Sequence, residues 1–359
     1  MSKRFVFVAG DVGAARMQLP VARQLVGQGH QVDLVADGSG MAVNIFRDEK
    51  VDHLVLFSAS PDKVERVTAR CDLVFSGYSA SAWGIEKSFV EHASSPVVLG
   101  SDGFFNHALP QWRDAQPGHW FAIDGSHAEA IRQLSSSPSR HWVQAVGQPA
   151  FDAVLELLPK KEDIRHQVRS ALKISNDAPV LLWWSQGMAQ VIEEDIKMLK
   201  AALDHCDMVF IPRIHPKLNQ TVRQGYVDEL RSELVAYART QKSTVVSADH
   251  VPGEHLCLAA DVIVSITCTE DIKNTMIGGP PVVHFLGPTV QHWMKTDLGL
   301  RHPYLPDVAN GLSLGAFSVD EVLPAVRAAL ANPGALRQNW RPPDQPATER
   351  VAAALLALV

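Results

Sequence analysis

Ala260-Asp-Val-Ile-Val-Ser-Ile-Thr-Cys-Thr-Glu-Asp-Ile-Lys-Asn-Thr-Met-Ile-Gly-Gly-Pro-Pro-Val-Val-His-Phe285 is the stretch that decides the fold of this chain. Val262 to Val264 read as a short buried strand, and Ser265, Thr267 and Thr269 make the turn after it rich in hydroxyls. A helix is predicted from about Glu270, stopped by Gly278-Gly279-Pro280, before a second buried strand from Pro281 to Phe285. Strand, turn, helix and strand form a βαβ unit, and open α/β sheets bind ligands at the carboxyl ends of their strands. The unpaired N–H groups and positive dipole end of a helix N-terminus suit a phosphate. Thr267 or Thr269 as a plain helix cap accounts for the same residues. On the stretch alone, the plain cap is the reading that stands.

Working outward, the same grammar fills the chain. Phe5 to Ala9 is a strand that turns at Gly10-Asp-Val-Gly13 into a helix from about Ala15 to Gln28, and Gln31 to Ala36 is the next strand. Ala15 stands where the last glycine of a GxGxxG loop would fall, so a dinucleotide fingerprint is incomplete. Strands follow at His53 to Phe57, Leu73 to Ser76, Pro96 to Gly100, Phe121 to Asp124 and Val143 to Val146, separated mostly by single helices. A second run begins after the charged helix Asp163 to Leu172. Its strands are Val180 to Trp184, Met208 to Pro212 and Ser243 to Ser247, and the opening stretch completes it. After Phe285 the reading gives a loop with His292 and Trp293, a helix from Ser318 to Ala331, a proline-rich linker and a last apolar helix from Ala347. Strands joined by single helices imply parallel, doubly wound sheets. The fold class is therefore α/β with two Rossmann-like domains facing each other across a cleft. Their bounds are 1–148 for the first domain and 149–335 for the second, with 336–359 a linker and helix packing back on the first.

Composition narrows the function. The chain has 359 residues, 46% hydrophobic, and a net charge of −6 with both signs dispersed. Nothing in that balance suits nucleic acid or an anionic membrane. The apolar run after Lys3-Arg4 is too short for a signal peptide, and no stretch approaches the ~20 apolar residues of a membrane span. Cys71, Cys206, Cys257 and Cys268 lack CxxC spacing. Reduced thiols in a cytoplasmic protein, with no zinc site and no cofactor, is the expectation. No GxxxxGK[ST] loop is present, which excludes P-loop kinases.

Gly147-x-Pro149-x-x-Asp152, together with Ala-Asp-Val-Ile-Val-Ser and Gly-Gly-Pro-Pro-Val-Val, resembles glycosyltransferases of the GT-B fold. The nearest group holds the non-hydrolysing UDP-N-acetylglucosamine 2-epimerases and the MurG-like transferases. Arg213-Ile-His-Pro216 is similar to the His-Pro segments of CDP-glycerol transferases and bacterial sialyltransferases of that fold. The resemblance implies a metal-independent transfer from a nucleotide-activated sugar, held by the second domain, to a glycan or lipid-linked acceptor on the first. The product would belong to surface glycan or glycoconjugate synthesis, and a homodimer is compatible with it. Thr267 and Thr269 would hold the donor's phosphates, helped by Arg213 or His215 and by the turn Ser185-Gln186-Gly187. The family's ribose-binding glutamate falls at Lys273 here, with Glu270 and Asp271 one helical turn before it.

An inverting transfer also needs a base for the acceptor hydroxyl. Asp102 lies in Gly100-Ser-Asp-Gly103 directly after a strand, and His107 follows in the same loop. Asp11 in the first loop is the further candidate, with Gly10, Gly13 and Ser79 as acceptor contacts. Asp102 as a plain turn residue and Ser79 or Ser81 as helix caps are the ordinary alternatives. Two other functions share the fold: a UDP-sugar epimerase or hydrolase, and a non-catalytic protein whose donor site was lost at Lys273.

Overall fold

The computed structural model describes residues 1–78, 84–103, 112, 115–133, 142–204, 207–297, 305–337 and 344–359. Ser79, Ser81 and His107 lie outside the described residues. The chain divides into two compact units: Met1–Ala153 with Asp344–Val359 belongs to the first, and Val154–Thr296 with Arg301–Pro343 forms the second.

The first unit is built on seven parallel strands. They are β1 (Arg4–Ala9), β2 (Gln31–Asp37), β3 (Leu54–Leu56), β4 (Leu73–Ser76), β5 (Val97–Gly100), β6 (His119–Ala122) and β7 (Val143–Ala145), in the order β3-β2-β1-β4-β5-β6-β7. Helices α1 (Val12–Gly27), α2 (Ala42–Asp48), α3 (Pro61–Thr68), α4 (Ile85–His92) and α5 (Gly125–Gln133) connect them. The order reverses between β1 and β4, and that switch point is where an open sheet leaves a crevice at its carboxyl edge. Phe5 to Ala9 are wholly buried, as strands covered on both faces should be. Below the switch point the buried Gln18 amide donates to Val8 O at 2.8 Å and to Phe75 O at 3.2 Å, tying β1 to β4.

The second unit repeats the plan with six parallel strands. These are β8 (Val180–Trp184), β9 (Val209–Arg213), β10 (Thr244–Val245), β11 (Val262–Ser265), β12 (Val282–Phe285) and β13 (Leu314–Ala316), in the order β10-β9-β8-β11-β12-β13. Its main helices are α6 (Lys161–Ala171), α7 (Ala189–Leu203), α8 (Tyr226–Thr240), α9 (Gly253–Ala259), α10 (Thr269–Met276), α11 (Pro288–Thr296) and α12 (Val319–Ala331). Its switch point lies between β8 and β11. The opening stretch is thus β11, α10 and β12, with Ser265 pairing His284 across the parallel ladder.

The last helix, α13 (Ala347–Leu356), buries Val351, Ala352, Ala354 and Leu355 in the cluster that holds Leu19, Ala22 and Leu25 of α1. Asp152 anchors it: its two carboxylate oxygens accept from Ala347 N and Thr348 N, both at 2.7 Å. A carboxylate there pairs with the helix dipole as well as with orphan N–H groups. Gly147 has a left-handed φ of +93°, and a Cβ on it would sit 2.4 Å from the Arg350 guanidinium. The Gly-x-Pro-x-x-Asp joint is therefore a seat for the C-terminal helix.

Some boundaries differ from the sequence reading. Helix α1 begins at Val12, because Asp11 caps it with its Oδ1 accepting from Ala14 N at 3.0 Å. His292 and Trp293 stand on α11 instead of in a loop, since Glu194 satisfies the N–H groups of Thr289 and Val290 in the first turn of that helix. The strand read over Ser243 to Ser247 shrinks to two residues at the edge of the sheet.

Candidate functional site

At the switch point of the first unit, Asp102, Asp11 and Glu86 come together, with Asp37 beside them. Asp102 follows β5, and its carboxyl lies against the first turn of α1: a Cβ placed on Gly13 would be 2.3 Å from Asp102 Oδ2. Gly13 thus leaves room for Asp102 itself. Glu86, in the first turn of α4, is fully buried and accepts from Gly10 N at 2.9 Å. Its Oε1 also fills the notch left by Gly77, where a Cβ would lie 2.7 Å away. Asp37 completes the frame, accepting from Ile85 N at 3.1 Å and from the N–H and hydroxyl of Ser39. The loop bearing Asp102 is fixed from below: Gln148 donates to Ser101 O at 3.0 Å, and the Tyr78 and Ser101 hydroxyls are hydrogen-bonded.

Burial pushes the Asp102 carboxyl well above the usual carboxylate range, reinforced by the charges of Asp11 and Glu86 and by a hydrogen bond with Asp11. Like charges in one site do not all ionise, so one proton stays with the group. Burial and the neighbouring acids thus favour the protonated form of Asp102 and oppose its resting as a free base. Glu86 carried no signal in the sequence. An acid in the first turn of a helix complements the dipole on any protein surface, and only the packing of α4 against β1 buries it.

In the second unit the three predicted turns come to one sheet edge. The Ser185 hydroxyl accepts from His215 N at 2.7 Å. The His215 ring lies over Gly187, whose added Cβ would be 2.8 Å from Nδ1. Burial, then the charge of Lys217, lowers the His215 pKa, and its Nδ1 accepts from Lys217 N at 3.1 Å. The lowered pKa favours the neutral ring, and with Nδ1 accepting, its Nε2–H is the donor. Gln186 N reaches the buried Asp195 at 3.3 Å, and Trp183 Nε1 holds the other oxygen at 3.0 Å. Burial raises Asp195 to about 7. Arg213 lies 5.5 Å from the Trp184 ring and donates to Ala248 O at 2.8 Å.

Helix α10 starts at Thr269 after Cys268, which provides no side-chain cap. Thr267 is half-buried and Thr269 exposed. Two acids occupy the first turn, and both are quenched. Glu270 pairs with Lys273 at 2.8 Å, and Lys273 also reaches Glu254 at 4.0 Å. Asp271 is fully buried, accepts from the Ser265 hydroxyl, and is raised by burial to about 7. Beside it, the buried His284 faces the carbonyl of Ile266 at 3.0 Å and the Asp307 carboxylate at 2.7 Å. Two acceptors require two ring N–H groups, so His284 is an imidazolium. Burial opposes that charge, and Asp307 outweighs it, leaving the pKa raised.

No family model matches the sequence, and no curated protein matches it. The fold does have solved relatives. UDP-GlcNAc 2-epimerase from Neisseria meningitidis, bound to UDP-GlcNAc, is 16% identical with a TM-score of 0.64, covering 99% of this chain and 100% of that one. The Methanocaldococcus jannaschii UDP-GlcNAc 2-epimerase, in complex with UDP-GlcNAc and UDP, is 13% identical at a TM-score of 0.66, with 99% and 100% covered. MurG from Acinetobacter baumannii is 14% identical at 0.58, with 99% of both chains covered. The chain has a GT-B-like fold, as the two sheets and the resemblance in sequence implied. Among the described residues no helix is long and apolar enough to cross a membrane, and no group of three or more His, Cys, Asp or Glu side chains could hold a metal.

Proposed function

We propose that this protein transfers a sugar or polyol from a nucleotide-activated donor to an acceptor hydroxyl. The donor's diphosphate would lie at the β8–β11 switch point of the second unit. There His215 Nε2–H, the first-turn N–H groups of α10 and the hydroxyls of Thr267 and Thr269 can donate to phosphate oxygens without a metal ion. Lys273 neutralises Glu270, and Asp271 takes up a proton more readily as an anion approaches. Both features remove the repulsion that the acidic first turn would otherwise present. The new C–O bond forms at the anomeric carbon (or the polyol's activated position) as the bond to the diphosphate breaks, and the acceptor's proton leaves to a carboxylate.

The observation that carries this reading is the convergence of Asp102 and Asp11 on α1 at the first unit's switch point. A carboxyl that ionises only above the ordinary range is a strong base once ionised. The transfer rate is therefore expected to rise with pH through the raised Asp102 pKa. The same proton favours one alternative, elimination or hydrolysis of a UDP-sugar, in which Asp102 donates and the rate falls over the same range. Incubation with UDP-, GDP-, CMP- and CDP-activated donors, with and without acceptors, tests both. Melting temperatures that stay flat with every donor would sink the donor site. Activity that survives a metal chelator is also expected.

A further inference from the structure

We infer that Glu86 is a positioning residue for Asp102, a buried fixed carboxylate whose charge keeps the proton of the Asp11–Asp102 pair in place. The inference rests on the reading that Asp102 handles a proton in the reaction. Glu86 is wholly buried and wedged between the turns that follow β1 and β4, against Gly10 and Gly77. The Gly10 N–H donating to its Oε1 favours the ionised form. Glu86 cannot move away, because Asp37 holds the preceding N–H of Ile85 and Gly77 offers only enough room for its oxygen.

The charges that reach Asp102 come from two elements, Asp11 at the start of α1 and Glu86 on α4, while its own backbone N–H acts in the opposite sense. Burial is the largest influence and is common to any variant that folds. Asp11 is needed at the cap of α1, so Glu86 is the charge that can be changed while that cap stays intact. Removing the charge should let Asp102 ionise at lower pH. The effect is long-range electrostatics, distinct from any loss of packing.

Glu86→Gln keeps the shape and an oxygen that can accept from Gly10 N. The full-length protein, labelled with carboxyl-¹³C aspartate, is titrated by infrared difference spectroscopy, with Asp102→Asn identifying the Asp102 band. The Asp102 transition is expected to fall by about 1 pH unit or more, the effect of a nearby like charge. Glu86→Asp withdraws the charge by one methylene and should shift the transition in the same direction by less, which serves if Glu86→Gln does not fold. An unchanged Asp102 transition in folded Gln or Asp variants overturns the inference, whether or not the protein turns over nucleotide sugars. A shifted transition with no turnover on any donor overturns the functional reading and leaves Glu86's role standing.

Discussion

Asp102 shows how much a single residue discloses. Its place after a predicted strand, between glycines, was legible, because backbone-held carboxylates at strand ends are where open sheets do chemistry. Its protonation was not, since that depends on Asp11 and Glu86, brought to it by the packing of α1 and α4. Gly13 was read as an acceptor contact, and the group lying against it is Asp102. Gly13→Ala should therefore leave the fold in place but displace the carboxyl, lowering activity at least tenfold at unchanged circular dichroism. Lys273 stands where a ribose-binding glutamate was expected, and the structure gives it a different task, neutralising Glu270. Lys273→Met is expected to weaken donor binding by about tenfold, on the order of 1.4 kcal/mol, as read by calorimetry. Equal affinity would show that the Glu270 charge does not reach the donor.

At the scale of elements, alternating strands and helices were readable because doubly covered strands are continuous apolar runs. One edge of the second sheet was read too long and the other not at all: β10 and β13 are two and three residues long, too short for a periodic signal. The Asp152 seat for α13 was visible only as a motif, since its partners lie nearly two hundred residues away. Asp152→Ala should destabilise the protein by about 1–2 kcal/mol through the lost cap, measured by urea denaturation. Helix α7 makes a prediction about pH. Asp195 is raised to about 7 in the folded protein, above its ordinary carboxylate value. The fold therefore favours the protonated form, so the contribution is full below the unfolded pKa and is lost as pH rises through about 7. Wild-type melting temperature should fall between about pH 4 and pH 7. In Asp195→Asn that fall should shrink, leaving a residual slope from Asp271, which is raised to about 7 in the same way. An equal slope in the variant would refute the assignment.

For the whole molecule, two sheets that each reverse direction at a central pair of strands put polar turns where the topology leaves space. The sequence reading reached that plan from strand and turn grammar, and solved structures at low identity share it. It could not tell a carboxyl that gives a proton from one that takes it, because that difference is set by burial and neighbouring charge. The most direct test follows nucleotide release from an activated sugar by the wild-type protein and by Asp102→Asn, whose melting temperature should match. Release with at least one donor, rising with pH in the presence of acceptor and falling by about 10²-fold or more in the variant, is the expected result. Release from no donor, or equal release by both proteins, would contradict the account.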